Sequence, residues 1–128
     1  MSYYLSKMLG ASFDEAVTRT TEALKSEGFG ILTDIDVSAT LKKKINVEFP
    51  SYRILGACNP TMAYEALKLE NKVGTMLPCN VVVRDAGNGE IEVAAIDPVA
   101  SMQAIENLAL KEAAARVRAK LEKVITNL

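Results

Sequence analysis

Two cysteines stand in matching settings in this chain: Cys58 in the run Gly56-Ala57-Cys58-Asn59-Pro60 and Cys79 in the run Leu77-Pro78-Cys79-Asn80. Each is followed by an asparagine and lies near a proline. A thiol serves as a small apolar filler, a nucleophile, a metal ligand or half of a disulfide, and its surroundings decide which. Cys58 is the last residue before the N-cap of an expected helix, where unpaired backbone N–H groups and the positive end of the helix dipole would favour a nucleophilic thiolate. Arg53 or Lys72 is a candidate cation to assist it. Cys79 opens an expected strand. If that strand runs antiparallel beside the one ending at Cys58, both sulfurs share one end of a sheet and become neighbours. The alternative is that both are buried spacers, since cysteine is among the most frequently buried residue types.

The neighbouring residues have local duties of their own. Asn59 followed by Pro60 is a helix start, asparagine as N-cap and proline at the first helical position. Asn80 has no cap to serve, so it faces solvent, bonds a loop or touches a ligand. Pro78 and Pro98 are backbone punctuation. The candidate ligand-binding set is therefore Cys58, Asn59, Pro60, Pro78, Cys79 and Asn80, with Cys58 and Cys79 the candidates for any catalysis. Met62, Met76 and Met102 either fill the core or line a soft pocket.

Absences narrow the chemistry further. The chain has no histidine, which removes Ser-His-Asp and Cys-His machinery within one chain, and with it histidine metal sites. Two cysteines alone do not complete a tetrahedral zinc site; a shared soft metal would require a symmetry mate. Asp34 and Asp36 supply too few oxygens for calcium and read better as a strand end and a helix cap. Lys42-Lys43-Lys44 reads as a solvated helix face. Gly28-Phe29-Gly30 leaves a helix and enters a strand, the reverse of a phosphate-binding turn. No metal and no cofactor are expected.

Composition sets the wider frame. The chain has 128 residues, a net charge of -1, 49% apolar and 24% charged residues, which suits one globular domain over residues 1–128. Charges of both signs are interspersed, so no broad positive field exists to hold nucleic acid. Apolar runs fall far short of the roughly 20 residues a membrane-spanning helix needs. The start Met1-Ser2-Tyr3-Tyr4-Leu5-Ser6-Lys7 lacks the pattern of a secretory signal, and the expected location is the cytoplasm.

The elements that must carry the cysteines are legible. Tyr3 to Leu9 reads as a strand. Ser12 caps a helix with Phe13, Ala16, Val17, Thr20, Ala23 and Leu24 on one face, stopped at Gly28. A strand from Gly30 to Ile35 precedes a short helix through Leu41 and Ile45, capped by Asp36 or Ser38. Ser51 to Cys58 is a strand and Pro60 to Glu70 a helix. Cys79 to Arg84 and Glu90 to Ile96 form a hairpin around Gly87-Asn88-Gly89. Asp97-Pro98 starts a helical stretch to Leu128, broken near Asn107, with Leu110, Ala114, Val117, Leu121, Ile125 and Leu128 as its apolar stripe. This order predicts an α+β fold in two layers, a mixed or mainly antiparallel sheet with helices packed on one face.

The run Tyr52-Arg53-Ile54-Leu55-Gly56-Ala57-Cys58-Asn59-Pro60, followed by Ala66-Leu67, Gly74 and Leu77-Pro78-Cys79-Asn80-Val81-Val82-Val83, resembles a widespread prokaryotic family known only as domain of unknown function 302. The resemblance extends from about Ser12 through Asp97-Pro98. It implies a small α+β domain of helix-grip type, often a homodimer, with no established activity and no assigned catalytic residue.

Residues and resemblance together predict a non-enzymatic homodimeric binding or interaction module, whose cysteine-rimmed apolar cleft takes a small apolar or thiol-reactive ligand. The rival expectation is a thiol redox enzyme with Cys58 as nucleophile and Cys79 as resolving cysteine.

Overall fold

The computed structural model describes residues 2–128. Five strands, β1 (Tyr4–Leu9), β2 (Gly30–Asp36), β3 (Tyr52–Cys58), β4 (Cys79–Gly87) and β5 (Glu90–Ile96), form one sheet in the order β1-β5-β4-β3-β2. Every neighbouring pair is antiparallel. The helices are α1 (Phe13–Ser26), α2 (Val37–Ile45), α3 (Pro60–Leu69), the single turn α4 (Pro98–Ser101) and α5 (Leu108–Thr126), with a 3-10 turn at Val73–Met76. That 3-10 turn has no counterpart in the sequence reading.

Local side-chain chemistry explains where the helices begin. Ser12 Oγ accepts from the Glu15 N–H at 3.1 Å, Asp36 Oδ1 from Ala39 at 2.9 Å, Asn59 Oδ1 from Met62 at 3.3 Å and Asn107 Oδ1 from Leu110 at 3.0 Å. Each satisfies one of the orphan donors of a first helical turn. Asp36, not Ser38, is the cap of α2. Asn107 also donates to the Leu69 carbonyl at 3.3 Å, so the break in the C-terminal helical stretch ties the end of α3 to the start of α5. The β4–β5 hairpin turns at Asn88 and Gly89, with φ of 55° and 76°, a left-handed pair suited to the twist of the flanking strands.

Strand alternation divides the sheet into two faces. Leu9, Leu55, Ala57, Cys79, Val81, Val83, Ile91, Val93 and Ala95 are buried on the helix side with Leu24, Leu121 and Val124, beneath α1 and α5. A second cluster, Ala66, Val73, Met102, Leu110 and Ala114, joins α3 to the first turns of α5. The expected stripe on α5 is present, and Ala113 and Val124 widen it. Burying the larger of these side chains contributes about 1.5–3 kcal/mol each, the main stabilising term of the fold.

The opposite face carries no helix layer. Its register places Tyr4, Ile96, Asn80, Gly56 and Thr33 in one row across the strands, Ser6, Ala94, Val82, Ile54 and Ile35 in the next, and Met8, Glu92, Arg84 and Tyr52 in a third. α2 lies against β3, and none of its residues is buried.

Asp97 closes β5 onto the helical layer. It is buried, caps α4 through the Val99 N–H at 2.9 Å, and accepts from Arg118 Nε on α5 at 3.0 Å. Asp97→Ala removes a cap and one of the two carboxylates paired with the half-exposed Arg118 guanidinium, the other being Glu122 at 2.9 Å. The expected loss is about 1–2 kcal/mol in urea unfolding, with Asp97→Asn, which keeps an acceptor, losing less.

Candidate functional site

The antiparallel register brings the two cysteine runs together. Cys79 is paired across the ladder with Ala57, the residue before Cys58. Cys58 is the last residue of β3 and pairs on its other side with Gly30. Both thiols are free, Cys58 half-buried and Cys79 buried. They are near enough for a charge on Cys58 to raise the Cys79 pKa, although burial is the larger cause; together the two effects push that thiol from 9.0 to about 11.

Both line one cavity at this end of the sheet. Its floor is Ala57, Cys58, Cys79 and Phe29. One wall is α3, through Asn59, Met62, Ala63 and Ala66; the other is α5, through Leu110, Ala113, Ala114 and Val117. Leu77, Pro78, Pro98 and Met102 complete it. The cavity volume is about 40 Å³, room for a few heavy atoms at the roughly 10–15 Å³ that one water needs.

No lining side chain carries a formal charge. Asn59 is the one side-chain amide in the lining, and its oxygen is engaged as the α3 cap. The cavity therefore suits an uncharged apolar group, and nothing in its wall would repay the desolvation of an ion.

Of the six candidate ligand-binding residues, Cys58, Asn59, Pro78 and Cys79 lie on this cavity. Pro60 is exposed at the first turn of α3 and is not in the lining. Asn80 is exposed on the uncovered face of the sheet, one residue beyond Cys79 and therefore on the other side of the pleat. Arg53 does not assist Cys58. It lies toward the opposite end of β3, where its guanidinium is paired with the Asp34 carboxylate, and that hydrogen bond holds the Asp34 pKa below the usual range. Lys72 does not line the cavity. Asp34 and Asp36 are thus an ion-pair partner and a helix cap, and among the described residues no group of three His, Cys, Asp or Glu side chains could hold a metal ion.

Sequence reasoning assigned none of the small residues to the site, although it named Ala66 and Ala114 in other settings. Ala63 and Ala66 on α3 face Ala113 and Ala114 on α5 across the cavity. Two alanine-rich helix segments are a visible signal of close helix approach, but alanine is also the commonest filler of any helix face. Met62 and Met102, singled out for a soft pocket, both line it. Met76 instead packs beside the second core cluster.

A family model described as domain of unknown function DUF302 matches residues 5–128. The crystal structure of an uncharacterized conserved DUF302 protein from Bacillus stearothermophilus resembles this fold with a TM-score of 0.91 at 29% identity, over 98% of each chain. No curated protein matches the sequence. Among the described residues, no helix is long and apolar enough to cross a membrane.

Proposed function

Because the chain belongs to the DUF302 family of domains of unknown function, which supplies an architecture and no reaction, we propose from its own geometry that it is a non-enzymatic binding module. It acts as a homodimer in the cytoplasm and takes a small, uncharged, apolar or thiol-reactive group beside Cys58 and Cys79. The carrying observation is the cavity wall, apolar on both helices and edged by two free thiols. Free thiols suit a reducing compartment. The flexible side chains Met62 and Met102 allow the cavity to widen around a ligand larger than its resting volume. The thiol redox reading, with Cys58 attacking and Cys79 resolving, is weakened by the burial of Cys79, because exchange proceeds through thiolates and this one is costly to form.

The test is a titration with xenon and with benzene, read in methyl spectra of the methionines. Met62 and Met102 are expected to shift while Met8, exposed on the far face of the sheet, stays still. Ala114→Leu, which fills the gap between α3 and α5, is expected to abolish the response. No shift with either probe in the unaltered protein overturns the reading.

A further inference from the structure

We propose that Cys58 and Cys79 form a dithiol trap for trivalent arsenic, taken up as its neutral hydroxide, As(OH)₃. The proposal rests on the binding-module reading above and names the ligand of that same cavity. The pairing of the thiols, the lack of charge in the walls and the size of the space together select it.

Cys79 stands across the β3–β4 ladder from Ala57, the residue before Cys58. β3 ends at Cys58 and the chain turns there into α3, so both cysteines border the cavity on the helix side of the sheet. They are the two cysteines of the chain, and both are free. A metal cation held by this pair would need ionised thiols and would bring charge into a wall that has nothing to offset it. Burial of Cys79 opposes that ionisation. The neutral hydroxide of a soft element avoids the problem. Half-buried Cys58 reacts first: an S–As bond forms, an As–O bond breaks, and the thiol proton leaves with the departing hydroxide as water. Cys79 repeats the exchange and closes the chelate. Two waters are released, arsenic stays trivalent, and neither the free nor the bound form carries a charge. The same criterion excludes phosphate and arsenate, whose charged oxygens find no cation in the lining.

Size agrees with this ligand. The bound form adds two heavy atoms beyond the sulfurs, arsenic and its remaining oxygen. A cavity of about 40 Å³ holds about three water-sized occupants at roughly 10–15 Å³ each. The flexible thioethers Met62 and Met102 pack around the arsenic. The remaining hydroxyl also has a partner in Asn59, next to Cys58 in the chain and in the lining. The Asn59 oxygen caps α3, and among the described residues its NH₂ group donates no hydrogen bond, which leaves it to serve the arsenic-bound oxygen. Once Cys58 has bound, attack by Cys79 is intramolecular, so the second sulfur adds about 100-fold or more in affinity through effective concentration alone.

The experiment adds sodium arsenite to the reduced full chain near neutral pH and reads native intact mass together with arsenic-edge X-ray absorption. The expected product carries one arsenic per chain, with two waters lost and two sulfurs on the arsenic. Cys58→Ser and Cys79→Ala are each expected to weaken binding by about 100-fold or more. The sulfur count on the unaltered chain stands whether or not either variant folds. Arsenate, the charged control, is expected not to bind. A chain that responds to xenon or benzene but forms no arsenite adduct overturns the trap alone, whereas silence toward all three overturns the cavity reading with it. A single sulfur on the arsenic, full affinity after loss of either thiol, or equal binding of arsenate also overturns the trap.

Discussion

Gly56→Ala is expected to cost about 3 kcal/mol, a large part of the 5–15 kcal/mol typical of a domain, and to lower the urea midpoint accordingly. Gly56 lies in β3 between Thr33 of β2 and the Pro78 ring, which lean over it from either side on the uncovered face. A Cβ there would stand 2.7 Å from Pro78 Cγ and closer still to Thr33 Oγ1. Neither neighbour yields cheaply, since a proline ring is rigid and a β-branched threonine has few χ1 options in a strand. The strain falls where β3, β4 and the cis Leu77–Pro78 peptide meet, directly behind the cavity. The double variant Gly56→Ala with Thr33→Ala removes the nearer clash and should recover about half of the loss, measured as a coupling energy in a double-mutant cycle. Equal stability of Gly56→Ala and the unaltered protein would contradict this account of the strand crossing.

The second large effect is the pH response of Cys79. Burial raises this thiol from 9.0 to about 11, with a smaller contribution from a charge on Cys58. The folded protein therefore holds the Cys79 proton more tightly than the unfolded chain. That preference contributes its full stability below pH 9 and is lost as pH climbs through about 11. The interval is worth about 3 kcal/mol. Stability of the unaltered protein should fall by that order across the window, relative to Cys79→Ala, in which lysine and tyrosine titrations are retained and cancel. The same burial governs reactivity. At pH 8, alkylation of Cys79 in the folded protein should be at least about 100-fold slower than in urea, following its thiolate fraction, while half-buried Cys58 labels first. A Cys79 that labels at the unfolded rate would restore the redox reading.

These two residues show how far local rules reach. Sequence identified Ser12 and Asn59 as caps, Asp36 or Ser38 as the cap of α2 and a break near Asn107, because the donors such residues satisfy lie within three residues. The hairpin at Asn88-Gly89 was equally visible, since a left-handed pair has few chemical solutions. The α5 stripe followed from helical period. The clash that makes Gly56 obligatory was not visible. It involves residues 23 and 22 positions away, Thr33 and Pro78, brought together only by the order of strands in the sheet.

The candidate site divides in the same way. The chain alone determined that two thiols end and begin consecutive strands, that no histidine could join them, and that the elements would form an α+β fold. Tertiary structure decided that Cys79 and Asn80, adjacent in sequence, serve opposite faces of the sheet, one buried at a cavity and the other on an open surface. It also decided that Arg53 is committed to Asp34 at the far end of β3, and that alanines of α3 and α5 leave the space beside the sulfurs. Caps and turns are set by interactions a few residues long, which a sequence displays directly. Cavities and faces are set by which strands become neighbours, and that choice is made by the burial of the whole apolar surface at once.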